Sequence, residues 1–433
     1  MIADSIEIQT CEPIDAEVCP PGSKSLTNRA LVCAALAQGT STLSGVLDSV
    51  DTRVMVDALN TLGIPLTANW NSCEITIQGC GGRLPANEAE IYVENSGTTA
   101  RFLSSMLTLG NGRYVLDGNK RMRERPIQDL IDALLQLGST VRSLPGTGCP
   151  PLEILAQGLA GGMAQVRGDV SSQFLSGLLL AAPYAQQAVK LNVLGTLVSI
   201  PYVDMTLRVM ESFGVLVETT RNNGIPTAFE VPQAGYQATA YAIEPDASAA
   251  SYFFAAAAIT GGRMTVRGLS RESLQCDVAF VDLLDFMGCQ VDWQADSITV
   301  TGGSLKGITA DMNAISDTVM TLAAVALFAE GPTTITHVEH VRHKETDRIA
   351  ALCTELRKLG ALVDERPDGL QITPRPLHAA TLDTYDDHRM AMSLALAGLR
   401  VPGVVINDPG CTSKTYPHFF QDLERVCRRP RTV

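Results

Sequence analysis

A chain of 433 residues with 45% hydrophobic content is long enough for two or three domains with sizeable cores. The formal charge of −13 and the 5% aromatic content argue against nucleic-acid binding, so any anionic ligand has to be captured locally. No apolar run approaches the roughly 20 residues of a membrane span, and the 11 cysteines include no Cys-x-x-Cys pair, which points to reduced core thiols rather than a zinc site or a disulfide framework.

The first residues, Met1-Ile2-Ala3-Asp4-Ser5, lack the basic and apolar regions of a signal peptide, so a cytoplasmic location without a membrane partner is expected. After Pro20-Pro21, a candidate hinge, Gly22-Ser23-Lys24-Ser25 opens an Ala/Leu-rich helix that also carries Arg29. The turn fails the P-loop test, since Glu17 stands where the first glycine would be, but two cations at a helix start suit an anion. Asn95-Ser96-Gly97-Thr98-Thr99 enters a second such helix, and Lys120-Arg121-Met122-Arg123-Glu124-Arg125-Pro126 places four cations ahead of an amphipathic one. Asp169-Val170-Ser171-Ser172-Gln173 heads a third inner helix with hydroxyls, an amide and backbone N–H groups. At each of these turns ordinary N-capping is the alternative.

Glu244-Pro245 is the second candidate hinge. Beyond it, Lys344-Glu345-Thr346-Asp347-Arg348 is expected to begin a helix with Lys344 and Arg348 one turn apart on one face. Asp386-Asp387-His388-Arg389 places ionisable groups at the mouth of an apolar helix, and Lys414 follows in a loop. His337, His340 and His343 recur every three residues without Cys or carboxylates at ligand spacing, so no metal is expected.

A repeat organises these elements. An apolar helical pattern ends in Gly63, Gly138, Gly214, Gly288 and Gly360, at spacings of 75, 76, 74 and 72 residues, too long for a solenoid. A second, small-residue helix recurs at the same period near Ser25, Thr98, Ser172, Ala247, Asp317 and Asp387. Helices apolar nearly all round belong inside a domain, sheathed by the strands that follow. Six βα units divide into two sets of three, one spanning 21–243 and the other 1–20 with 244–433, so the chain crosses between lobes twice.

The segments PGSKSLTNRA, LDGNKRMRERPI, GDVSSQFL, HKETDR, YDDHRMAM and DPGCTSKTYP, in this order from Pro21 to about Pro417, resemble the enolpyruvyl transferase family, and within it the 3-phosphoshikimate 1-carboxyvinyltransferases. The resemblance implies an α/β fold of two similar lobes, each of three βαβαββ units in an inside-out α/β barrel, joined by a two-crossing hinge with the active site between the lobes. It implies transfer of the enolpyruvyl group of phosphoenolpyruvate to the 5-hydroxyl of shikimate 3-phosphate, on the shikimate pathway, by a monomer with no cofactor. By similarity, Lys24, Ser25, Arg29, Ser171, Ser172, Gln173, Ser199, Asp317, His340 and Lys344 bind shikimate 3-phosphate, mainly in the 21–243 lobe. Lys24, Gly97, Arg121, Gln173, Arg348, Arg389 and Lys414 bind phosphoenolpyruvate, and Asp317, Glu345 and Lys24 share the proton transfers. His340 departs from the Asn of many relatives, as Ser96 and Phe102 depart from the usual Ala and Pro.

Both implied substrates carry about three negative charges near pH 7, so an acidic protein needs a concentrated basic site to hold them. The UDP-N-acetylglucosamine enolpyruvyl transferases share the sixfold architecture, but their catalytic loop carries a Cys that DGNKRMRERP lacks. A catalytically dead anion-binding scaffold is the rival outside the enzymes, and the intact Asp317, Glu345 and Lys24 argue against it.

Overall fold

The computed structural model describes residues 4–428; residues 1–3, on which the signal-peptide expectation partly rests, and 429–433 lie outside them. The chain forms two units, one of Gly22–Ile243 and the other of the described residues up to Pro21 and from Glu244 onward.

One repeat of the Gly22–Ile243 unit shows the plan. Strand Glu88–Tyr92 alternates exposed and buried residues, as a strand with one covered face must, and pairs in parallel with Asn111–Asp117 through Glu88↔Arg113. Between them runs the helix Gly97–Met106, buried along its whole length. The amphipathic helix Gln128–Gln136 leads on to the hairpin of Thr140–Ser143 and Leu152–Gln157, whose second strand completes the sheet beside Asn111–Asp117. This is a βαβαββ unit with one inner and one outer helix. The five glycines of the repeat end the outer helices, and each has positive φ, from 78° at Gly63 to 109° at Gly288, the left-handed cap that glycine adopts without a Cβ penalty.

The other sheets follow the same order, with one exchange that explains the two crossings. Strand Asp15–Val18 precedes helix Lys24–Leu36 in the chain but pairs with Arg263–Arg267, which follows helix Ala247–Thr260. Reciprocally, Ala240–Ala242 precedes Ala247–Thr260 but pairs with Gln38–Ser44. The last repeat has a three-stranded sheet, in which Ser5–Glu7 lies antiparallel to Val405–Asn407.

The inner helices form the cores. All fourteen residues of Ala247–Thr260 are buried, and Phe253 meets Tyr416 and Phe419 with ring centroids at 6.1 and 6.2 Å. Phe253→Ala would remove this contact and cost about 3–5 kcal/mol. Its unit also buries Val319–Ala326 and His388–Gly398 entirely, joined by a hydroxyl ladder from Ser251 to Thr321 at 3.0 Å and Thr321 to Ser393 at 3.4 Å. Among the described residues no helix is long and apolar enough to cross a membrane.

Candidate active site

In the Gly22–Ile243 unit, the polar residues collect at the first turns of helices. Ser23 caps Lys24–Leu36 by accepting the Leu26 N–H, which places Lys24 at the first helical position. The Lys24 ammonium is buried and lies 3.6 Å from Asp51, in the first turn of the helix Val50–Thr61. Ser25 is in the same turn, and its carbonyl accepts from Arg29 at 2.9 Å. Arg29 is turned inward: it also donates to Thr206 at 2.7 Å, the Tyr202 carbonyl at 3.0 Å and Ser176 at 3.4 Å, with Phe102 beneath it at 5.2 Å. These bonds tie three helices together, a structural task that a basic helix start does not announce.

Ser171 caps Ser172–Ala181 by accepting from the Gln173 N–H at 3.3 Å, and the Gln173 side chain donates to Thr98 at 3.4 Å. Gln173 is thereby brought beside Gly97, at the head of the neighbouring inner helix. Gly97 is required by packing, because a Cβ would sit 2.5 Å from the Arg125 guanidinium, which donates to the Asn95 carbonyl and side chain at 3.1 Å. Of the four cations in that loop, Arg125 is buried, whereas Arg121 is partly exposed and pairs with Glu124 at 3.2 Å. Ser199 is buried at the head of Ile200–Ser212 with φ 53° and ψ 43°, a left-handed conformation that a non-glycine residue keeps only where its surroundings impose it.

The other unit holds a denser network. Arg348, 1% exposed, donates to Asp387 through Nε at 2.8 Å and a terminal nitrogen at 3.2 Å, to Glu345 at 2.9 Å and to Asp317 at 3.4 Å. Arg389 donates to the other Asp317 oxygen at 2.7 Å and to the Tyr252 hydroxyl at 3.4 Å. Lys414 lies 3.3 Å from Glu345. The result is a continuous chain, Arg389–Asp317–Arg348–Glu345–Lys414. Asp387 also caps His388–Gly398 by accepting the Arg389 N–H at 2.9 Å, which explains how ionisable groups are tolerated at the mouth of a buried helix.

Burial perturbs the groups around this network. It drives the His340 imidazole down to about 3, with Lys344 adding to the effect, so His340 is neutral near pH 7. It raises the Asp386 carboxyl against the pull of Lys414, and it lifts the Tyr252 hydroxyl to about 12 although Arg389 draws it down.

The expected common helical face of Lys344 and Arg348 is not formed. The helix starts at Arg348 with Asp347 as its cap, and Lys344 ends the preceding 3-10 turn Glu339–His343. Asp347 competes for the backbone: its carboxylate accepts the Ala350 N–H at 3.1 Å, so the helix does not begin four residues earlier, at Lys344. Of the three histidines, His337 is exposed and paired with Asp311, whereas His340 is buried. Asp51 and Tyr252 are not singled out by the sequence motifs, although Asp51 has a local signal, an acid in the first turn of a helix with a Ser49/Thr52 capping box; Arg125 belongs to the basic run, which does not say that it is the buried member.

A family model described as EPSP synthase (3-phosphoshikimate 1-carboxyvinyltransferase) matches residues 8–423. The chain is 51% identical over 430 residues to a 3-phosphoshikimate 1-carboxyvinyltransferase of Nostoc punctiforme, covering 98% of this chain and 100% of that protein. It is 46% identical over 444 residues to the chloroplastic protein of that name from Arabidopsis thaliana, covering 98% and 85%. The solved structure of EPSP synthase from Acinetobacter baumannii is similar with a TM-score of 0.81 at 25% identity, over 98% of both chains. The enolpyruvyl transferase NikO from Streptomyces tendae, at 20% identity and a TM-score of 0.79 over 98% and 97%, shares the fold.

Proposed function

The chain belongs to the EPSP synthase (3-phosphoshikimate 1-carboxyvinyltransferase) family, and from that premise we propose how its residues divide the transfer of the carboxyvinyl group of phosphoenolpyruvate to the 5-hydroxyl of shikimate 3-phosphate. Lys24, Ser25, Arg29, Ser171, Ser172, Gln173 and Ser199 hold shikimate 3-phosphate in the Gly22–Ile243 unit. Asp317, His340 and Lys344 are further contacts of shikimate 3-phosphate. Gly97, Arg121, Arg348, Arg389 and Lys414, with Lys24 and Gln173, hold phosphoenolpyruvate.

The observation that carries this reading is the chain Arg389–Asp317–Arg348–Glu345–Lys414, buried except at the half-buried Asp317, which alternates cations with carboxylates over contacts of 2.7 to 3.4 Å. Guanidinium forks suit a carboxylate and a phosphate, and the interleaved carboxylates supply proton acceptors beside them. Asp317 takes the proton of the 5-hydroxyl as its oxygen attacks C2 of phosphoenolpyruvate, and Glu345 or Lys24 delivers a proton to C3. The tetrahedral intermediate then loses a proton from C3 as the bond from C2 to the phosphate oxygen breaks, giving the enolpyruvyl ether and phosphate. His340, neutral at the working pH, can offer a hydrogen bond but adds no charge.

A phosphate-release assay with phosphoenolpyruvate and each acceptor tests the reading. Release with shikimate 3-phosphate and none with UDP-N-acetylglucosamine is expected; release with neither would overturn it.

A further inference from the structure

One fully buried carboxylate has no part in the steps above. Glu355 lies in the helix Arg348–Lys358 at 0% exposure. Its Oε1 accepts the Tyr385 hydroxyl at 2.6 Å, and its Oε2 accepts the Asp383 N–H at 2.9 Å and lies 2.8 Å from the Lys358 ammonium. Lys358 also donates to Asp383 at 2.7 Å, and the second Asp383 oxygen accepts from Asn407 at 2.7 Å. Each neighbour that faces Glu355 in these bonds is a donor, so both of its oxygens serve as acceptors.

These bonds fasten the turn that enters the inner helix His388–Gly398. Tyr385 and Asp386 have successive φ values of 57° and 54°, a left-handed pair costly for two residues with side chains. The Asp387 N–H closes the turn on the Thr384 carbonyl at 2.9 Å. Tyr385 is 42% exposed, so ring burial does not account for its strained backbone, whereas its hydroxyl bond to Glu355 does. Arg348 and Glu355 are seven residues apart on one helix, about two turns or roughly 10 Å. That helix therefore grips the turn on both sides of the strained pair, Glu355 through Asp383 and Tyr385, and Arg348 through Asp387.

We propose that Glu355 is a positioning residue for the reaction: by holding the left-handed pair Tyr385–Asp386, it sets Asp387 against Arg348 and Arg389 against Asp317. The inference rests on reading the Arg389 cluster as the phosphoenolpyruvate grip. In Glu355→Gln the amide N–H₂ can face only the Tyr385 hydroxyl, which must then accept rather than donate, and the neutral amide oxygen left to the Asp383 N–H and Lys358 weakens the other anchor of the turn.

The test combines steady-state kinetics with hydrogen exchange measured by mass spectrometry on the full chain, for wild type, Glu355→Gln, Tyr385→Phe and the double variant. Glu355→Gln should raise KM for phosphoenolpyruvate about tenfold and leave KM for shikimate 3-phosphate within about twofold, as expected when a binding group is displaced by a fraction of an ångström. Exchange over residues 383–391 should quicken about tenfold or more, with Ala247–Thr260 unchanged. Tyr385→Phe should shift both readouts less and in the same direction, and the double variant should be no worse than Glu355→Gln, because both act through one bond. Wild-type exchange over 383–391, or an equal rise in both KM values, would overturn the proposal. A wild-type protein that releases no phosphate would overturn the functional reading instead, and the exchange measurement would still decide the role of Glu355.

Discussion

The two polar clusters differ in how their buried arginines are held. In the Gly22–Ile243 unit, Arg29 is bonded to hydroxyls and carbonyls, Arg101 to the Gly97 and Pro126 carbonyls and the Met122 sulfur, and Arg125 to Asn95, while the carboxylates of Asp51 and Glu124 stand beside Lys24 and Arg121. In the other unit, Arg348, Arg389 and Lys414 all meet carboxylates. Neutral acceptors orient a cation and leave its charge in place, whereas a carboxylate cancels it. The first arrangement keeps a positive field suited to capturing an anion. The second sets acids beside bases, the arrangement proton transfer needs. A requirement for concentrated positive charge, inferred from two trianionic substrates, therefore describes the first cluster better than the second.

The largest effect is expected at the centre of the carboxylate-rich network. Asp317→Ala should lower turnover by about 10²- to 10⁴-fold, much more than it weakens binding of either substrate, read from initial rates of phosphate release. Unchanged turnover would remove Asp317 as the base and the contrast with it. Stability gives the next test. Arg348→Met leaves Asp387 and Glu345 buried beside a lost cation and should cost about 3–5 kcal/mol in urea unfolding. Arg29→Met removes a cation bonded to hydroxyls and carbonyls and should cost about 1–3 kcal/mol. The reverse order would break the comparison.

His340 sharpens it through pH. Its folded-state value of about 3 lies below the ordinary 6.5, so below pH 6.5 the unfolded chain binds the extra proton. The stability contribution is complete above 6.5 and is lost as pH falls toward 3, by about 2 kcal/mol at pH 5 at 1.36 kcal/mol per unit. Between pH 7 and pH 5 the urea midpoint should therefore fall further for wild type than for His340→Asn. The smallest effect is at a cap: Ser171→Ala should cost about 1 kcal/mol and raise KM for shikimate 3-phosphate more than that for phosphoenolpyruvate. An equal rise in both would argue against assigning that helix end to one substrate.

Much of the fold could be read without coordinates, because its signals are local. The regular spacing of Gly63 through Gly360 reflects left-handed caps that favour glycine, and the runs of Ala and Leu mark helices with no face left for water. The first turns at Lys24 and Ser172 were legible for the same reason, since the Ser23 and Ser171 caps act within two or three residues. The start of the Arg348–Lys358 helix was misread where two local signals competed and the Asp347 cap prevailed over the Lys344 to Arg348 spacing. The exchange of the Asp15–Val18 and Ala240–Ala242 strands had no local trace, because a strand's own residues do not say which distant edge will accept it.

The sequence by itself determined the repeating unit, the inner helices and the residue types gathered at their ends, all set by periodicity, capping and burial over a few neighbouring positions. Tertiary structure alone decided the distant acceptors: Arg389 reaches Asp317 across 72 positions, and Arg29 reaches Thr206 across 177. Those pairings depend on how separately formed helices pack, and a buried charge takes whichever partner that packing brings within about 3 Å.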